Sequence, residues 1–251
     1  MAVTAPIVAT LLVLLAPVIG SFIGVLADRL PRGESVVWPG SRCRDCGTRL
    51  GPRDLVPVLS YVVLRGRCRS CGAALPPWLL HTEIAATGLA GLAVIAAPDP
   101  GGMVWTALVL WLLLALALCD LLWFRLPDPL TGALLALALG RAAVAGDLAA
   151  ALAGAVIGAG SFWLLRAGYR RVRGREGMGL GDVKLMAGLG ALTGPWDLPL
   201  MVLLAALAAL GAALAGEWTG QGAGLRGARP LPFGAALAAA GGAVWLIRLA
   251  G

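Results

Sequence analysis

Charge is scarce in this 251-residue chain: Asp, Glu, Lys and Arg together make up 13% of it, against 59% hydrophobic residues and a mean hydropathy of +0.88. That balance excludes a water-soluble globule and places the chain among polytopic membrane proteins. Histidine occurs once, as His81, and lysine once, as Lys184. A lone histidine near a membrane interface reads as a satisfied polar group, and it removes Ser-His-Asp and Cys-His triads unless that one residue serves. No glycine-rich Rossmann fingerprint follows a predicted strand. The first apolar segment lacks a basic leader and a small-residue cleavage site, so it reads as a retained helix and not as a removable signal peptide.

What is present is a series of greasy segments. A span needs roughly 20 mostly apolar residues, and the sequence predicts an all-α polytopic membrane protein with about eight transmembrane helices. They fall near residues 5–26, 79–97, 102–122, 130–146, 148–165, 183–194, 197–216 and 231–249. The sixth is thinned by Gly188 and Gly190 and ended by Gly194 and Pro195. The formal net charge of +7 is distributed by loop and not along one helical face, which argues against nucleic acid and for orientation in the lipid bilayer. Nine arginines, from Arg29 to Arg69, lie between the first and second spans, and five, from Arg166 to Arg175, between the fifth and sixth. Arg125 follows the third span, and Arg226 and Arg229 precede the eighth. With eight spans these loops share one side, which the positive-inside rule makes cytoplasmic, with both termini outside. The exterior keeps few cations, chiefly Arg141 and Arg248.

Residues 28–77 form the one loop long enough for a small domain, between a first helix over 1–27 and a membrane-embedded part over 78–251. At that size a hydrophobic core is rarely sufficient. Cys43-Arg44-Asp45-Cys46 and Cys68-Arg69-Ser70-Cys71, each followed by glycine, have the spacing of a tetrahedral four-thiolate zinc site. The alternatives are a metal-free knuckle and two disulfides, the latter disfavoured by a reducing cytoplasm. Such a zinc is structural, because four thiolates leave no open position. The fifth cysteine, Cys119, reads as a small buried hydrophobe.

Two acids remain at the edges of greasy stretches, Asp120 and Asp182. Carboxylates in or near a bilayer cost several kcal/mol unless they face protein or water. The topology places Asp120 at the cytoplasmic end of the third span and Asp182 at the cytoplasmic start of the sixth, so they can meet at one depth as an acid and base pair. Simpler readings compete: Asp120 paired with Arg125, Asp182 capping its helix or paired with Lys184, and Asp128, ahead of Pro129, as a helix cap. Gly177, Gly179 and Gly181 precede Asp182, and alternate glycines permit close backbone approach and unusual dihedrals beside a carboxylate.

These motifs, taken in order, resemble the type IV prepilin peptidase family, the leader peptidases and N-methyltransferases of bacterial pilus and type II secretion systems. The resemblance covers nearly the whole chain: Gly20-Ser21-Phe22-Ile23, Arg29 to Val36, the paired cysteine knuckles, Pro57 to Tyr61, Asp120 to Asp128, Gly177 to Leu185, and Leu231-Pro232-Phe233-Gly234. It implies a multi-pass protein of the bacterial inner membrane and an aspartic peptidase whose catalytic pair is Asp120 and Asp182, with Gly177, Gly179, Gly181 and Lys184 in support. The implied substrate is a prepilin or pseudopilin with a short basic leader, and the implied methyl donor is S-adenosylmethionine. The family usually carries Asn where this chain has Gly24, and many members carry Arg-Tyr-Pro shortly before a glutamate matching Glu83, where this chain reads Trp78-Leu79-Leu80. Both departures lie in the half to which methyl transfer is attributed, so cleavage with weak methylation is expected. A transporter or proton channel using Asp120 and Asp182 as relay groups, and a zinc-knuckle assembly factor, are the readings from other classes.

Overall fold

The computed structural model describes residues 4–218 and 231–250. Among these the chain is helical, with helices α1 (Thr4–Arg29), α2 (Leu59–Val63), α3 (Pro77–Ala96), α4 (Pro100–Trp123), α5 (Asp128–Ala145), α6 (Leu148–Arg173), α7 (Leu180–Thr193), α8 (Leu198–Trp218) and α9 (Phe233–Ala250). All eight predicted segments are helices. Six of them, α1, α3, α4, α5, α6 and α8, are long and apolar enough to cross a membrane. The other two are α9, a shorter apolar helix, and α7. The 14 residues of α7 rise only about 21 Å, short of a hydrocarbon core roughly 30 Å thick. The cause is local: Gly194 takes a left-handed φ of 77° and Pro195 follows, so the helix stops there. Arg226 and Arg229 lie outside the described residues.

The chain forms two compact units, Met1–Trp111 and Leu112–Gly251. In the first, α1 and α3 run antiparallel with their backbones close together. A Cβ on Gly20 would stand 2.6 Å from the Cα of Glu83, and Ala16, Ala27, Ala86, Ala90 and Ala93 are fully buried. Small residues at a helix interface let backbones approach where lipid supplies no hydrophobic drive. The first part of α4 is tied to α3 by the indole N–H of Trp111, which donates to the Ala86 carbonyl at 2.9 Å.

In the second unit, α7 lies among α5, α6 and α9, and Leu185, Met186 and the run from Gly188 to Thr193 are buried. Glycine makes each approach possible. Gly154 of α6 and Gly190 of α7 meet backbone to backbone, a Cβ on Gly188 would touch Leu134 of α5 at 2.9 Å, and one on Gly241 of α9 would touch Leu189 at 2.5 Å. A short helix is thereby held by close backbone fit, and its N-terminal turn lies by the end of α4 and the start of α9.

Candidate active site and cysteine knuckles

Asp120 sits one turn from the end of α4, 6% exposed. Its Oδ2 accepts the N–H of Ala235 at 2.8 Å, and the N–H of Gly234 also points to it. Both donors belong to the first turn of α9, where N–H groups have no partner inside the helix and the dipole favours negative charge. Gly234 is required here, because its Cβ would lie 3.0 Å from Asp120 Oδ2 and 2.9 Å from Leu126. A helix N-terminus is thus a partner of Asp120.

Asp182 is the third residue of α7, half-buried, and accepts the N–H of Gly179, the residue that caps the helix. Asp182 thus binds the capping residue from the third helical position, while Gly179 itself holds the cap. The charge on Asp120 acts on Asp182, so the two carboxylates are electrostatic neighbours. Leu126, in the turn between α4 and α5, bridges the starts of α9 and α7: it touches both the Gly234 position and the Gly181 position, the latter at 3.0 Å. Neither Leu126 nor the Gly234–Ala235 donors were picked out by sequence reasoning as site residues. The signal available was the Leu231-Pro232-Phe233-Gly234 run, a Pro-led helix start with a glycine in the first turn.

The glycine run works differently from its sequence reading. None of Gly177, Gly179 and Gly181 has a positive φ. Gly177 makes room for the ring of Tyr169, 2.6 Å from a Cβ there, and Gly181 for Leu126, while Gly179 donates its N–H. Arg166, on α6, clamps this loop by donating to the Met178 carbonyl at 3.0 Å and pairing with Glu176 at 2.5 Å. Lys184 pairs with Asp128 at 2.6 Å and not with Asp182. The side chain of Asp128 makes no cap bond; Pro127 holds the cap position, and the ion pair joins the first turn of α5 to α7. Cys119 is fully buried and His81 is exposed.

In the first unit, the two cysteine knuckles repeat one geometry. Cys43 N–H donates to Thr48 O and Gly47 N–H to Cys43 O; Cys68 N–H donates to Ala73 O and Gly72 N–H to Cys68 O, all between 2.8 and 3.1 Å. Gly47 and Gly72 take left-handed φ values of 69° and 72°, which explains the glycine after each pair. The four sulfurs lie within 4.8 Å of one another, and Cys43 Sγ to Cys71 Sγ is 3.8 Å. A disulfide would need about 2.05 Å, whereas a tetrahedron with metal–sulfur arms of about 2.3 Å has edges of about 3.8 Å. Thr48 draws the Cys46 thiol down to about 6 through its hydroxyl and its backbone N–H. Cys71, despite the Ala73 N–H that favours its thiolate, is pushed up to about 12 by Cys46, burial, Cys68 and Cys43. Four thiolates this close need a cation, and the donor set fits one.

Glu83, a buried acid on α3, accepts the N–H of Val58 at 2.7 Å and a bond from Ser21. Asp28 is held by Arg32 and Arg44, each at 2.9 Å.

The fold and these sites define a multi-helix membrane protein with a carboxylate pair at one end of a helix bundle and a four-cysteine knuckle in its first loop. The chain belongs to the type IV leader peptidase family: residues 107–214 match that family and residues 14–97 match the bacterial peptidase A24 N-terminal domain. It is 35% identical to a prepilin leader peptidase/N-methyltransferase of Dichelobacter nodosus over 86% of this chain and 73% of that protein. Identity is 36% to one of Burkholderia pseudomallei strain K96243, over 92% and 82% of the two chains, and 34% to one of Pseudomonas aeruginosa, over 95% and 89%. No solved structure matches the chain.

Proposed function

We propose that this protein is an intramembrane aspartic endopeptidase that removes the short basic leader from type IV prepilins or pseudopilins at the cytoplasmic face of the bacterial inner membrane. The observation that supports this reading is that the charge of Asp120 acts on Asp182, from a helix far away in sequence, and that each carboxylate accepts N–H groups at a helix start. Two close carboxylates share one proton because both cannot easily ionise, and their titration belongs to the pair. The ionised member takes a proton from water as its oxygen attacks the scissile carbonyl carbon, and the protonated member donates to the carbonyl oxygen. As the tetrahedral intermediate collapses, the C–N bond breaks and the departing amine takes a proton from the pair, leaving acid and amine products. The N–H groups of Ala235 and Gly179 hold their carboxylates in place throughout. Asp120→Asn and Asp182→Asn, purified in detergent and given a prepilin, should each lose cleavage while keeping helical content, since an amide cannot act as base. Turnover by either variant assigns the chemistry elsewhere.

The arginine-bearing loops face the cytoplasm in this reading, with both termini outside. Cys43, Cys46, Cys68 and Cys71 would hold a zinc ion that staples residues 28–77 and, with all four positions filled by thiolate, takes no part in hydrolysis. Residues 78–251 form the membrane-embedded peptidase part. The two departures from the family pattern meet: a Cβ on Gly24 would contact Leu79 at 3.2 Å and Trp78 at 3.7 Å. Gly24, Leu79 and Leu80 line the same cavity of about 170 Å3 as Glu83 and Asp28, acids already engaged by Val58, Arg32 and Arg44. Gly24 and Leu79 thus stand together where the family pattern is broken, and the reading is leader removal with weak methylation from S-adenosylmethionine.

A further inference from the structure

The loop over residues 28–77 turns an apolar face outward. Val56, Leu59, Val62 and Val63 follow helical spacing along α2 and the turn before it, where the Ser60 N–H donates to the Val56 carbonyl at 3.0 Å. Among the described residues they are 41 to 74% exposed. The polar side chains of the same helix point the other way: Ser60 and Tyr61 line the cavity of about 170 Å3 that Glu83 and Asp28 share. A helix that faces water has the opposite arrangement, apolar inward and polar outward. The inverted one is expected where the surroundings are apolar.

Glu83 fixes where this face lies along α3. It is the seventh residue of that helix and accepts the N–H of Val58 at 2.7 Å, so the start of α2 is tied to a level within about 9 Å of the α3 start. Val58 takes a φ of 61° and a ψ of −53°, which a β-branched residue scarcely adopts, so its surroundings impose that turn. The 20 residues of α3 rise about 30 Å, as thick as a hydrocarbon core, so the Glu83 level already lies within the outer part of that core. An interfacial helix buries its apolar face about 5–10 Å into the boundary of headgroups and acyl chains, which is the level of α2. Cations flank the stripe: Arg53 precedes it and Arg65 and Arg67 follow, all three exposed. A second contact lies at the end of α1, where Arg29 donates to the Ser35 and Pro39 carbonyls at 3.0 and 2.8 Å. That holds the exposed Val37 and Trp38 beside the helix end, a level at which tryptophan concentrates.

We propose that this segment is an interfacial anchor: Val56, Leu59, Val62 and Val63 enter the acyl chains of the leaflet beside α3, and Arg53, Arg65 and Arg67 pair with anionic phospholipid headgroups. It holds the loop that carries the cysteine knuckles down on the bilayer. The inference rests on α3 crossing the membrane and not on the peptidase reading.

The test is photocrosslinking of the full chain in phosphatidylcholine vesicles that contain phosphatidylglycerol, with adducts identified by mass spectrometry. The probe is Val63→benzoylphenylalanine, at the most exposed of the four positions, and the benchmark is Ile84→benzoylphenylalanine, at the exposed neighbour of Glu83 on α3. Val63 should yield phospholipid adducts at the level of Ile84. Adding Leu59→Asp to the Val63 probe should lower that yield roughly tenfold, the scale of one buried leucine. Vesicles without phosphatidylglycerol should lower it about fivefold, the scale of one arginine near an anionic surface. A Val63 probe that labels no lipid while Ile84 does puts the face in water and overturns the anchor. So do adducts to a second copy of the chain, which make the face a protein interface, and so does an unchanged yield with Leu59→Asp. A yield indifferent to phosphatidylglycerol overturns the pairing of the arginines with headgroups.

Discussion

Gly234→Ala is the sharpest probe of the carboxylate pair, because it touches neither acid's chemistry. Gly234 lies in the first turn of α9 with no positive φ, so alanine meets no backbone strain. The new methyl would, however, stand 3.0 Å from Asp120 Oδ2 and 2.9 Å from the Leu126 side chain. Relief requires the α9 start to retreat or Asp120 to rotate, and either lengthens the 2.8 Å bond from the Ala235 N–H. A hydrogen bond to a charged group contributes about 1.5–3 kcal/mol, and each 1.36 kcal/mol is tenfold in rate, so kcat/KM should fall roughly 10- to 100-fold. Overpacking adds a stability loss of about 1–3 kcal/mol. The contrast is Gly179→Ser, inside the glycine run. Its Cβ would rest 3.6 Å from Asp182 in ordinary contact, serine is a favoured cap, and the Gly179 N–H is retained. It should cleave within about threefold of wild type, well under the effect of one charged hydrogen bond. The assay is steady-state cleavage of a prepilin in detergent beside a thermal melt of each variant. A Gly234→Ala protein that cleaves normally, whether or not its melting point drops, would falsify the claim that α9 holds Asp120.

Three further outcomes are expected. Replacing any one of Cys43, Cys46, Cys68 and Cys71 by serine should abolish the bound metal, seen as one zinc per chain in the parent by elemental analysis, and should expose residues 28–77 to protease; an unchanged digestion pattern would show that the loop is not stapled there. Gly154→Ala should lower stability by more than the roughly 1–3 kcal/mol of ordinary overpacking, because its methyl would coincide with the Gly190 carbonyl, while Gly160→Ala, with nothing within 4 Å, should melt like the parent. Processed substrate made with added S-adenosylmethionine should show little gain of mass by mass spectrometry, and a full shift of one methyl group per chain would contradict the reading of Gly24 and Leu79 without touching the peptidase assignment.

The division between what the sequence determined and what the fold decided follows the range of the forces involved. Helix positions came from local hydrophobic length: each of the eight segments needs only its own residues to be apolar, and each is a helix. The cysteine knuckles were equally legible, because a Cys-x-x-Cys turn closed by Gly47 or Gly72 is made of hydrogen bonds spanning four or five residues. Asp120 and Asp182 stood out for the same reason, as charges a bilayer penalises wherever the chain goes. Partners are another matter. Asp120 is held by an N–H 115 residues away, and Lys184 chose Asp128, 56 residues away, over its neighbour Asp182. An ion pair forms where two side chains arrive, and arrival depends on how α5, α7 and α9 pack. The same holds for glycine: among 36 glycines, only the packing distinguishes Gly154, which meets the backbone of Gly190, from Gly160, which meets nothing. Arg141 and Arg248 read in sequence as two stray cations, and became one cavity only when the ends of α5 and α9 were brought together. Composition and turn chemistry act along the chain, whereas steric fit and charge pairing act through space between residues whose separation in sequence carries no information about their distance.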